Sequence, residues 1–134
     1  MSVSIANVTF TGFTGAGFAP TPGTGQLDSD FWRITGASDG TLDFGGTQTA
    51  GDFARGGVSN ASNPTAGGVY AASYGSPTNT GFVLQPSGSD FFSPPGTVTY
   101  RVQYTGPQAL NSLTFDYDAL FRNNEARSTA VSFS

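Results

Sequence analysis

Alternation of apolar and polar residues is the feature that most narrows what this chain can become. From Thr97 to Thr105, Val98, Tyr100, Val102 and Tyr104 fall on one phase, and Thr97, Thr99, Arg101, Gln103 and Thr105 on the other. Successive side chains of a β-strand point to opposite faces, so the spacing predicts a strand with one buried and one solvated face, as in an antiparallel sheet. Gly106-Pro107 ends it. The pattern returns with Leu113, Phe115, Tyr117, Ala119 and Phe121 opposite Thr114, Asp116, Asp118, Leu120 and Arg122. After a turn at Asn123-Asn124 it recurs from Ser128 to Ser134, where Thr129, Val131 and Phe133 share a side.

Shorter β segments are expected over Val3 to Phe10, with a change of phase at Asn7 that suggests a bulge, and over Phe31 to Thr35, Thr41 to Phe44, Val69 to Tyr74 and Gly81 to Gln85. Thr14 to Gln26 and Gly56 to Gly68 are rich in Gly, Pro, Asn and Thr and read as turns and long loops. No helix of useful length is predicted. The expectation is therefore an all-β, two-sheet antiparallel β-sandwich of about eight strands, jelly-roll-like, in one domain over residues 1–134.

Composition removes most catalytic chemistries. The 134 residues contain no histidine, lysine or cysteine. Imidazole bases, Ser-His-Asp triads, Schiff bases, thiol nucleophiles, disulfides and thiolate or imidazole metal sites are thereby excluded. The net charge of -4 and pI near 4.2, with five scattered arginines, argue against nucleic-acid binding and against anionic membranes. No stretch approaches the ~20 apolar residues of a membrane helix, so membrane insertion is not expected. Met1 to Ile5 lacks the basic start and apolar run of a signal peptide, so an exported form would be a mature chain or take its signal from elsewhere. Only 10% of residues are charged, and Gly, Ser, Thr and Asn fill the polar positions.

Carboxylates and aromatics remain as candidate functional groups. Asp116 and Asp118 lie two apart on the polar face of a strand, within ~7 Å of each other, but a solvated face neither raises a pKa nor excludes water. Surface ion pairing with Arg101, Arg122 or Arg127 accounts for them more simply than glycosidase-type chemistry. Asp28, Asp30 and Asp39, with Asp43 and Asp52 nearby, could supply several of the six to eight oxygens that calcium needs, although the spacing is not that of an EF-hand. Turn and capping roles compete with that reading. Among eighteen aromatics, most fall on the apolar phase and read as core. Trp32, Tyr70 and Tyr74 are the candidates for an exposed platform that stacks on a sugar ring. Asn7-Val8-Thr9 and Asn60-Ala61-Ser62 match the glycosylation acceptor pattern, which arises by chance in a chain this rich in Ser, Thr and Asn.

Five stretches, in order, resemble a known module: Phe10-Thr11-Gly12-Phe13, Gly25-Gln26-Leu27-Asp28-Ser29-Asp30-Phe31-Trp32, Gly51-Asp52-Phe53-Ala54-Arg55-Gly56, Gln85-Pro86-Ser87-Gly88-Ser89-Asp90-Phe91 with Pro95-Gly96-Thr97, and Arg122-Asn123-Asn124-Glu125-Ala126-Arg127-Ser128. The chain is similar over nearly its whole length to the N-terminal portion of a β-sandwich module of bacterial secreted and surface proteins, found ahead of extracellular nuclease-like domains or with C-terminal sorting signals. The resemblance implies export to the extracellular space or cell surface, a jelly-roll-like sandwich and a non-catalytic role, and brings no catalytic residues with it. In the proteins it resembles, further strands follow the Arg-Ser turn. A sandwich short of strands exposes core and an unpaired edge, and here no lysine protects such an edge.

Two readings follow. One is a non-enzymatic structural subunit that self-associates, with Val131 and Phe133, or Val3 and Ile5, donated as an apolar strand to another copy, which propagates as a filament if the contact is heterologous. The other is a carbohydrate-binding module with a glycan partner, with or without a calcium cofactor.

Overall fold

The computed structural model describes residues 6–59, 61–74, 79–119, 121 and 130–132. The chain divides into two compact units, residues 1–104 and 105–134, although no linker composition marks the boundary. All described strands lie in the first unit: β1 (Phe18–Ala19), β2 (Leu27–Asp28), β3 (Trp32–Ala37), β4 (Gly40–Leu42), β5 (Gly57–Ser59), β6 (Gly68–Tyr74), β7 (Asn79–Gln85) and β8 (Thr97–Tyr100). The sole helical element among the described residues is a 3₁₀ turn at Gly51–Phe53. The protein is thus all-β, and its sheets do not close into a barrel.

Two three-stranded sheets, β4-β3-β8 and β5-β6-β7, accompany the β1-β2 pair. Trp32, Ile34 and Leu42 from the first sheet pack in one cluster with Val69 and Ala71 from the second, together with Phe13, Phe18 and Phe53. Burial of apolar residues from both sheets in a single core is the defining feature of a sandwich. The alternation seen in the sequence carries this packing: Trp32 and Ile34 point inward opposite Tyr100 and Val98, whereas Arg33 and Thr35 face outward opposite Thr99 and Thr97. On the outer side the Thr35 and Thr97 hydroxyls lie 2.8 Å apart in a cross-strand hydrogen bond. β6 is buried on both faces, because Tyr70 and Ala72 form a second cluster with Val58, against which Tyr74 and Val83 pack.

The sheets differ from the sequence expectation in three ways. First, β1 pairs with β2 and β5 with β6 in parallel, so the sandwich is mixed rather than wholly antiparallel. β1 and β5 lie in the Gly- and Pro-rich stretches expected to be loops, and β2 lies just beyond the first of them. Strands of two or three residues show no measurable alternation. Second, β3 and β4 change register between Ile34 and Ala37. There Gly36 takes φ +89°, and a Cβ at this position would lie 2.6 Å from the Gly96 Cα, so the backbone bends where only glycine fits.

Third, the strands expected from Leu113 to Arg122 and from Ser128 to Ser134 are not formed at any described residue of the 105–134 unit, nor is β structure formed at residues 6–10. An amphipathic strand is stable only with a paired neighbour and a surface to cover, and alternation alone supplies neither. The expected strand from Thr97 accordingly stops at Tyr100 rather than Thr105.

Candidate functional site

The densest polar structure in the first unit is a network centred on the buried carboxylates of Asp52 and Asp90. The β3-β4 turn brings Ser38 and Asp39 to it, the 3₁₀ turn brings Asp52, and the segment before β8 brings Ser87 and Asp90. Asp52 Oδ2 accepts hydrogen bonds from the Ser38 hydroxyl and the Asp39 N–H, each at 2.9 Å, while the Asp52 N–H donates to Asp39 Oδ2 at 2.8 Å. Arg55 donates to Asp52 Oδ1 at 2.6 Å and through Nε to the Gly67 carbonyl at 2.9 Å. Asp90 Oδ1 accepts the Ser38 N–H at 2.8 Å, and Oδ2 accepts the Ser87 hydroxyl at 2.5 Å. Gly67 is required beside it, since a Cβ there would collide with the Asp90 carboxylate.

The Ser87 hydroxyl is the main reason that the Asp90 pKa is pushed down from 3.8 to about 2; burial opposes it, and the Ser38 N–H and hydroxyl add to it. A carboxyl held this low has no proton to give near neutral pH, so Asp90 cannot be a general acid. The network ties the β3-β4 turn, the 3₁₀ turn, the start of β6 and the approach to β8 together through satisfied bonds, which is the work of a structural bolt. In the sequence these residues were dispersed turn residues, and only the tertiary contacts assemble them.

The expected calcium ligands are not brought together. Asp28 Oδ1 accepts the Asp30 N–H at 2.9 Å in an Asx turn. Asp39, itself exposed, is bonded to the Asp52 N–H, and Asp43 pairs with Arg33 at 3.0 Å on the surface. No group of three or more metal-ligating side chains that could hold an ion occurs among the described residues.

The expected sugar platforms are also differently placed. Trp32 is 8% exposed and Tyr70 7%, so neither offers a ring face to a ligand. The Trp32 ring is enclosed by Phe10, Phe82 and Tyr100 at centroid distances of 5.9, 5.2 and 4.6 Å. The Tyr70 hydroxyl donates to the Ala66 carbonyl at 2.9 Å. Tyr74 is half-buried against the second cluster. A signal for Trp32 was present, because it shares strand phase with Ile34. The aromatic ledge that does face solvent is formed by Phe31 and Tyr100, whose centroids are 6.3 Å apart. Beside it the Arg101 guanidinium lies 4.3 Å from the Phe44 ring centroid and bonds the Asp30 carbonyl. An open depression of about 500 Å³ elsewhere in the unit is lined by Phe13, Thr14, Val58, Ser59, Ser62 and Thr80 among others, with no charged side chain.

Most apolar exposure lies in the 105–134 unit. Phe115 is 70% and Phe121 66% exposed, and Leu110, Leu113, Tyr117 and Val131 are also exposed. Of the candidate assembly residues, Val131 thus presents its side chain to solvent, whereas Val3, Ile5 and Phe133 lie outside the described residues. Asp116 and Asp118 are exposed as well.

No protein-family model matches the chain, and neither does any curated protein or solved structure. No helix among the described residues is long and apolar enough to cross a membrane.

Proposed function

We propose that this protein is a non-enzymatic, extracellular β-sandwich subunit that assembles with copies of itself by strand addition. One observation carries the reading: Leu113, Phe115, Tyr117 and Phe121 share a strand phase, yet all are exposed and none belongs to a strand. Contiguous exposed apolar side chains mark interaction surfaces, and a period-2 set of them fits the open edge of a sheet. The weakly charged, lysine-free, Gly/Ser/Thr/Asn-rich composition accords with a life outside the cell. The absence of His, Lys and Cys supports a role without catalysis. A glycan-binding role has less support, because Trp32 and Tyr70 are core residues.

Sedimentation velocity and light scattering across a micromolar concentration series test the reading. The expected outcome is mass above the 13.8 kDa of one chain, rising with concentration, and lowered in a Phe115→Ser/Phe121→Ser variant. A wild-type protein that stays at the mass of one chain throughout refutes it.

A further inference from the structure

We propose that the acceptor for this strand addition is the outer edge of β8, and that the donor is residues 113–121 of a second copy of the chain; the proposal rests on the assembly reading above. β8 ends its sheet in the order β4-β3-β8, so one side of its backbone lacks a ladder partner among the described residues. Its inward face continues the core to that edge: Val98 is half-buried opposite Ile34, and Tyr100, opposite Trp32, remains 36% exposed. An added strand with apolar residues on alternate positions would cover Tyr100 and the adjoining Phe31.

Charge selects among the edges and among the donors. The donor's polar phase carries Asp116 and Asp118. On the outward face by β8 stand Arg33, opposite Thr99, and Arg101, the residue after the strand. The β4 edge runs instead into Asp43, β2 includes Asp28, and the segments of β5 and β7 carry no charge; Asp30, just beyond β2, lies beside Arg101, which bonds its carbonyl. An acidic strand is therefore opposed at β2 and β4, unassisted at β5 and β7, and met at β8 by Arg101, and by Arg33 once it exchanges Asp43 for the donor's carboxylate. The present Arg33–Asp43 bridge is exposed, and such pairs re-form at little cost. The alternating run from Ser128 to Ser134 contains no carboxylate, so the same criterion favours 113–121 as donor.

Because the chain has no cysteine, engineered disulfides report this contact without background. Opposed residues on paired strands have Cα atoms about 4.5–5.5 Å apart, within the span of a disulfide. Thr99→Cys protein is mixed with a second population carrying one of Thr114→Cys, Phe115→Cys, Asp116→Cys, Tyr117→Cys or Asp118→Cys, and then oxidised. The expected result is a cross-linked heterodimer at positions on the 114/116/118 phase and little at 115 or 117. In parallel, Asp116→Asn/Asp118→Asn is expected to weaken association about 2–10-fold at low salt, with the difference shrinking at high salt.

Equal cross-linking on both phases overturns the proposal. So does closure of the Thr99→Cys/Asp116→Cys double variant within one chain at nanomolar concentration, which would identify an intramolecular hairpin. Oligomers that form but never cross-link to Thr99→Cys would overturn the β8 assignment while leaving assembly standing. Persistence at the mass of one chain would instead remove the assembly reading.

Discussion

Replacing Asp90 with asparagine probes whether the buried network holds the sandwich together. The carboxylate is buried and accepts the Ser87 hydroxyl and the Ser38 N–H. These bonds place its pKa at about 2 against an ordinary 3.8, and at about 1.36 kcal/mol per pH unit the gap corresponds to about 2 kcal/mol. The folded-state pKa lies below the unfolded one, so the stabilisation is complete above about pH 4 and is lost as the pH falls through about 2. Asparagine carries no charge at any pH, and its amide turns a donor toward groups that donate. Asp90→Asn should therefore lower stability by about 2 kcal/mol at pH 7, or about 10 °C in Tm for a domain of this size. Its deficit against wild type should shrink between pH 4 and 2. Urea titrations at pH 7, 4, 3 and 2 can follow Trp32, the chain's one tryptophan, which is buried in the core. A variant as stable as wild type at pH 7, or a deficit that stays constant down to pH 2, refutes the assignment.

Two further substitutions test the packing around the network. Phe53→Ala removes a fully buried ring from the shared core and should cost roughly 3–5 kcal/mol in urea unfolding. Arg55→Ala leaves Asp52 buried without its cation and frees the Gly67 carbonyl. Because the arginine side chain is partly exposed, the expected loss is about 2 kcal/mol rather than the larger cost of breaking a fully buried pair, measured as a lowered thermal midpoint at pH 7.

Legibility in the sequence followed the length of the alternating pattern and the presence of a partner. The expectations that coincide with strands over Phe31 to Thr35, Thr41 to Phe44, Val69 to Tyr74 and Gly81 to Gln85 share local apolar runs that become inward-facing positions of β3, β4, β6 and β7. β1, β2 and β5 were illegible because two or three residues show no phase and their parallel pairing is set by tertiary contacts. At the candidate site the residue types alone exclude imidazole, amine and thiol chemistry. The fates of Trp32 and Tyr70 depend on the fold, because an aromatic on a strand is a platform or a core residue according to what the opposite sheet covers.

Alternation and composition establish an all-β chain, because backbone geometry turns a period of two directly into faces, and a missing residue type removes its chemistry in any fold. They do not establish which strands acquire neighbours. The regular alternations from Thr97 and from Leu113 to Phe121 have different outcomes: the first is laddered to β3 over β8, and the second forms no strand at its described residues. A strand's stability resides in the ladder and core that other segments supply, and that information is held in contacts rather than in the strand's own residues. The same reason gathers Ser38, Asp52, Arg55, Ser87 and Asp90 into one hydrogen-bonded network, though nothing in their separate neighbourhoods announces it.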